Sequence, residues 1–188
     1  MGDTVYVTGQ DTRSALVRAG VELLEESDSA DIGLREIARR AGVSHGAPRR
    51  WFPTHRCLLA AIAEVGLQDL SAALVAAAEQ SANRLVSMAT AYVDFACRRP
   101  AMFTLIFRHD LLAGSGTELR NVSRPLFEWL VQLIEQSTDA GDPEGSAAAL
   151  WVGIHGIAVL SSTGSLGLAT SGVDEVDLIE RVVRNSVG

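Results

Sequence analysis

The chain has 188 residues, 47% of them hydrophobic, and a formal net charge of −7. That composition supports a folded core and excludes a disordered acidic tail. Its two cysteines, Cys57 and Cys97, exclude a disulfide framework or a cysteine-based metal cluster and fit a reducing cytoplasm.

The first ten residues, MGDTVYVTGQ, lack the basic-then-apolar order of a secretory leader and are predicted as a loose arm. A first helix is predicted over Asp11–Glu26, capped by Asp11 or Thr12, with Leu16, Ala19, Leu23 and Leu24 on one stripe. A second is predicted over Leu34–Arg40, because Leu34, Ile37, Ala38 and Ala41 recur at i, i+3, i+4 and i+7. Gly42 then supplies a positive φ to end that helix. Ser44 is the predicted cap of a third helix over about His45–Phe52. Pro53 is expected to open the next segment, a long Ala-rich helix over Leu58–Glu79 with Gly66 as a candidate bend.

Further helices are predicted over Arg84–Arg98 and Pro100–Arg108, followed by a loop at Gly114 and Gly116. Another spans Glu118–Gln136, broken early by Pro125, and DAGDPEG follows as a connector. An uncharged helix is predicted from Ser146 to about Ser162, and a last one over Glu175–Asn185. No alternating strand pattern and no repeat appears, so the fold class is all-α. Residues 146–173 carry no Asp, Glu, Lys or Arg and are long enough to span a bilayer. His155 and the many Ser, Thr and Gly residues there favour a buried interface helix and no membrane.

Charge is unevenly placed. Residues 1–60 are neutral in sum and residues 61–188 carry the whole −7. Within 33–60, six arginines (Arg35, Arg39, Arg40, Arg49, Arg50 and Arg56) face Glu36 alone. Such a local cationic surface on an acidic protein is the footprint of a polyanion-binding site, or else a solvated helix face. Two short helices joined by a glycine turn suggest helix-turn-helix. The second helix of such a unit enters the major groove by its N-terminal end. His45, Gly46 and Ala47 are small or polar there, and Arg49 and Arg50 can reach phosphates or guanine edges. Of Trp51 and Phe52, one is expected to lock the unit to the first helix and the other to lie against the sugar-phosphate backbone.

Residues 12–60 resemble the DNA-binding domain of the TetR family of bacterial transcriptional regulators. The motifs that carry this are TRSALVRAGVELL, LREIARRAGVSHGAPRRWFP and LLAAIA. The body segments AYVDFACRRPAMFTLIF and LWVGIHGIAVL resemble the subfamily with a Trp-x-x-x-His-Gly signature, here Trp151, His155 and Gly156. The resemblance implies an arm at 1–10, a helix-turn-helix head at 11–57 and a helical ligand-binding and dimerisation body at 58–188. It implies DNA contacts from Arg35, Ser44, His45, Gly46, Ala47, Arg49, Arg50, Trp51, His55 and Arg56. The chain departs from the family pattern at three places. Ile32 and Gly33 replace the usual hydroxyl residue before the second helix. Arg49 stands where the recognition helix usually has Tyr. His55 stands where a Lys usually grips phosphate, so Arg56 is expected to supply that charge.

The resemblance further implies a small effector that releases a palindromic duplex operator from a homodimer. Tyr92, Phe95, Met102, Phe103, Phe107, Trp129, Trp151 and His155 are the candidate pocket residues, and their character suggests a hydrophobic or aromatic effector. An apolar residue at helical spacing is usually core, so each also reads as helical core, and His155 as a partnered core group before a polar handle. Helices 119–136 and 147–162 carry apolar stripes that predict a four-helix interface between subunits. Half-sites would then lie ~34–36 Å apart. No metal or cofactor is expected. An enzyme is disfavoured because the four histidines are scattered and no nucleotide or nucleophile motif appears. The remaining alternatives are an effector-independent repressor with a filled body and a redox sensor using Cys57.

Overall fold

A computed structural model describes residues 9–27, 29–108, 120–170 and 172–188. The described residues form ten α-helices and no strand, the all-α class expected. Residues 1–8 of the predicted arm, the loop at Gly114 and Gly116, and the predicted helix start at Glu118 lie outside the described residues.

Helix α1 (Gly9–Glu25) buries Leu16, Ala19, Leu23 and Leu24. Helix α2 (Leu34–Arg40) follows, with Ile37 and Ala38 buried. Its end is a complete Schellman motif: Val43 N–H donates to Ala38 O at 3.0 Å and Gly42 N–H to Arg39 O at 3.2 Å. Gly42 sits at φ +68°, the conformation expected of it.

Helix α3 covers only Pro48–Trp51, shorter than the predicted His45–Phe52. Pro48 has no N–H to donate back to Ser44, so the helix starts at the proline and residues 45–47 form turns. Ser44 therefore does not cap by its side chain; its carbonyl accepts from Ala47 N–H at 3.0 Å.

Helix α4 (His55–Glu79) begins with Thr54 as cap, whose Oγ1 accepts from Cys57 N–H at 3.2 Å. The hydroxyl cap, four residues ahead of the predicted start at Leu58 and just past Pro53, fixes the entry. The helix runs without interruption through Gly66. A Cβ there would lie 2.2 Å from Met102 Sδ, so Gly66 admits a neighbouring helix rather than marking a bend.

Helices α5 (Arg84–Arg98) and α6 (Pro100–Phe107) meet at Arg99, and Pro100 opens α6 at its first turn. Helix α7 (Arg120–Ser137) continues through Pro125 rather than breaking there. Pro125 stands near the helix start on the exposed side. Helix α8 (Pro143–Ser162) is capped by Asp142, which accepts from Gly145 N–H at 3.0 Å. The five-residue α9 (Ser165–Ala169), which periodicity did not suggest, follows Gly164 at φ +70°. Asp174 accepts from Val176 and Asp177 N–H to start α10 (Glu175–Val187).

Helix α5 lies at the centre of the body, packed against α4 on one side and α8 on the other. Leu85, Met88, Ala89, Tyr92, Val93 and Ala96 form its buried stripe. Helix α10 covers α8 and α5, while α6 bridges α4 and α1. Arg99 ties these layers together. Its guanidinium bonds Glu25 of α1 at 3.0 Å and Asp69 of α4 at 2.8 Å, and lies 5.3 Å from the Phe95 ring centroid.

Helices α4 and α8 are long and apolar enough, by length and composition, to cross a membrane. The apolar stretch of α4 is mostly inside the fold; that of α8 is mostly outside it.

Candidate DNA interface and body cavity

The α2–turn–α3 unit is built around buried Ile37, Ala38, Pro48 and Phe52. Phe52 is the aromatic that locks: it is 4% exposed, with the Arg13 guanidinium 5.2 Å from its ring centroid. Trp51 beside it is 38% exposed. Ser44, His45, Gly46, Arg49 and Arg50 are exposed with it, and Ala47 is half-buried. Arg35 and Arg56 are also exposed. None of Arg35, Arg49, Arg50 and Arg56 makes an ion pair among the described residues.

Two members of the basic run are engaged elsewhere. Arg40 forms a two-pronged pair with Glu26 and lies 3.8 Å from Glu22. This pair holds the Glu26 carboxyl below its usual pKa and raises that of Arg40. Arg39 lies 4.0 Å from Glu36. The cationic surface is therefore narrower than the arginine count suggests. His55 is half-buried and its Nε2 is buried without a hydrogen-bond partner, so that nitrogen is turned away from solvent. Arg56, one residue on, is the exposed cation at that corner.

In the body, a cavity of about 260 Å³ opens between α4, α5, α6, α7 and α8. Of the candidate pocket residues, Tyr92, Phe107, Trp129 and Trp151 line it. Phe95, Met102, Phe103 and His155 do not. Phe95 packs under Arg99, and Met102 fills the notch at Gly66. Phe103 backs the wall, 5.6 Å from Tyr92 and 4.9 Å from Phe107 between ring centroids.

His155 stands one layer behind the cavity. Its Nδ1 is 2.9 Å from the Tyr92 hydroxyl, and its ring lies 4.6 Å from that of Phe107. Burial among these rings lowers its pKa below 6.5 and favours the neutral imidazole. Burial likewise pushes the Tyr92 phenol up, against a smaller opposing effect of the Trp151 indole, so the hydroxyl keeps its proton. His155 is thus a partnered group that orients a wall residue.

The rest of the lining escaped sequence reasoning. Leu67, Leu70 and Leu74 of α4 carry the ordinary signature of helix core, as do Leu126 and Leu130 of α7. Phe127 had a readable signal, since it shares a face with Leu130 and Val131 three and four residues on. Ser123 and Arg124 stand with them; Arg124 Nε bonds Glu128 at 2.9 Å and its side chain is 74% exposed.

Helix α8 leaves an apolar stripe in solvent: Trp151, Val152, Val159 and Leu160, with small Ala148 and Gly156 between them. Val152 is 67% exposed. Helix α7 differs from expectation. Its outer positions are polar (Arg124, Glu128, Gln132 and Glu135), and its apolar residues are spent on its own body and cavity. Burial, then Glu175 and Asp94, raises the Cys97 thiol, and Cys57 Sγ sits 3.1 Å from Thr54 Oγ1.

Residues 85–185, more than half of the chain, match the family described as "Tetracyclin repressor-like, C-terminal domain". The chain belongs to this family of DNA-binding transcriptional regulators. It is 28% identical over 133 residues to the nucleoid occlusion factor SlmA of Marinobacter nauticus, covering 69% of this chain and 68% of that protein. A Rhodococcus sp. RHA1 protein of unknown function superposes with a TM-score of 0.79 at 25% identity, over 99% of this chain and 97% of the other. A TetR-family transcription regulator from Marinobacter aquaeolei VT8 superposes with a TM-score of 0.65 at 16% identity, over 93% and 94% of the two chains. That last likeness is one of fold alone.

Proposed function

We propose that this TetR-family protein is an effector-responsive repressor acting in the cytoplasm. It binds a palindromic operator as a homodimer and leaves it when a small hydrophobic or aromatic molecule enters the body cavity. The observation that carries the reading is the exposed cationic face of the head. Arg35, Arg49, Arg50 and Arg56 stand around α3 without acidic partners among the described residues, while Phe52 anchors the unit from below. Phosphate neutralisation by such residues supplies affinity, and Ser44, His45, Gly46, Ala47 and Arg49 at the start of α3 are placed to meet base edges. Trp51 lies where its ring can rest on the sugar-phosphate backbone, and His55 adds at most its Nδ1.

The apolar stripe on α8 supports the dimer, because a face this apolar on a soluble helix calls for a partner. With polar α7 residues at its rim, a second copy would complete a four-helix contact around Val152 and Val159. Footprinting on the DNA flanking the gene tests the whole reading. Two protected half-sites about one helical turn apart are expected, and Val152→Arg should yield a monomer that loses them together.

An effector-independent repressor is the second reading. The cavity speaks against it, since a body selected only for stability would fill such a void. A thermal-shift screen separates the two: no stabilising small molecule would favour the second.

A further inference from the structure

We infer that the body cavity selects a compact, uncharged arene bearing one hydroxyl or carbonyl group, held between aromatic side chains and the Tyr92–His155 pair. This inference rests on the reading of the body as an effector site and narrows the effector's chemistry.

Size comes first. A cavity of about 260 Å³ lies below the usual range for drug-sized ligands. At interior packing density it holds roughly a dozen heavy atoms, the bulk of two fused rings. The walls favour rings over a flexible chain. Tyr92, Phe107, Phe127, Trp129 and Trp151 present faces and edges to the same space, and Phe127 and Trp151 already meet edge-on at 6.3 Å.

Charge comes second. Among the described residues, no acidic side chain lines the cavity, so a cation entering it would find no counter-charge from them. Among the described residues, the one charged lining group is Arg124, which is largely exposed and bonded to Glu128, so it forms a neutralised rim rather than a buried anchor for an anion. An ionised head group of either sign would be desolvated without compensation.

The polar contact comes third. Tyr92 is 3% exposed, and its hydroxyl lies 2.9 Å from His155 Nδ1, with the Trp151 indole N–H also directed at the phenol oxygen, which has a second lone pair to spare. The neutral imidazole has two tautomers. When the phenol donates to Nδ1, its oxygen retains a lone pair for a ligand hydroxyl. When Nδ1–H donates, the phenol proton is free for a ligand carbonyl. His155, outside the cavity, is a positioning residue that lets one wall hydroxyl serve either polarity.

Calorimetry on the full-length, DNA-free protein near neutral pH tests this with four probes of one size: naphthalene, 2-naphthol, 2-naphthoate and 2-naphthylmethylammonium. The expected order places 2-naphthol first, with both ions weaker by at least about a hundredfold. Tyr92→Phe should weaken 2-naphthol about fivefold and leave naphthalene nearly unchanged. Leu130→Trp, which fills the cavity from α7 without touching the pair, should abolish binding of both. Tighter binding of either ion, no binding by any probe, or equal loss of naphthalene and naphthol on Tyr92→Phe would overturn the inference. Because no DNA is present, failure of bound 2-naphthol to release the operator would count against the repressor reading and leave the ligand class standing.

Discussion

Gly42 offers a clean test of how the head is held together. It lies at φ +68° in the turn between α2 and α3, and a Cβ built there meets nothing within 4 Å. Substitution therefore costs backbone strain and almost no steric clash. Left-handed backbone costs an L-residue about 1–2 kcal/mol, so Gly42→Ala should lose that much. For a chain of 188 residues this corresponds to a melting point lower by ~2–8 °C. Gly42→Asn should lose less, because asparagine tolerates this region, and Gly42→Val should lose most. The loss should reach DNA binding as well, since the bonds from Gly42 and Val43 to the end of α2 set the angle at which α3 leaves. Thermal unfolding of the three variants, with operator titrations at one temperature, reads both effects. An alanine variant as stable as the parent, or more stable as glycine-to-alanine changes are in ordinary helix, would show that the turn does not adopt this conformation.

Three further outcomes are expected. Arg50→Ala should weaken all duplex sequences alike and flatten the slope of log affinity against log salt by about 0.9; a changed sequence preference would reassign Arg50 to base reading. Arg99→Ala removes two charge-assisted bonds joining α1 and α4 to the α5–α6 junction and should cost about 1–3 kcal/mol in urea unfolding, whereas a change below about 0.5 would show that the pairs are mere surface contacts. His155 is depressed by burial, so below pH 6.5 the unfolded chain takes up a proton that the folded ring refuses, and stability falls as pH falls through that region. His155→Gln should flatten this limb in unfolding curves measured at several pH values, and an unchanged pH profile would refute the burial argument.

The sequence was legible where local chemistry decides structure. The limits of α2 match the apolar periodicity, and the predicted bounds of α5 and the predicted start of α10 at Glu175 match as well. Gly42 was readable because one backbone conformation demanded it. The misplacements have equally local causes that were weighed wrongly. Pro48 delays α3, and Thr54 rather than Pro53 sets the start of α4. The cavity was another matter. Leu67, Leu70 and Leu74 differ from core leucines only by what α7 leaves open above them, and that is a tertiary fact. The aromatic residues of the body announced a ring cluster, but their types could not say that Tyr92 faces the cavity while Phe95 and Phe103 stand behind it. Arg40 misled for the same reason, since its partners Glu22 and Glu26 come from α1 and the residue just past its end.

The central claim is that the exposed arginines around α3 grip duplex DNA. It is tested most directly by fluorescence-anisotropy titration of the duplex flanking the gene across a salt series, with the parent and an Arg49→Ala/Arg50→Ala double variant. The parent should bind two protomers per duplex, tighter than to scrambled DNA and with steep salt dependence, and the double variant should lose most of that affinity while keeping its melting point. Equal affinity of parent and double variant, or no binding by the parent in dilute buffer, would contradict the reading.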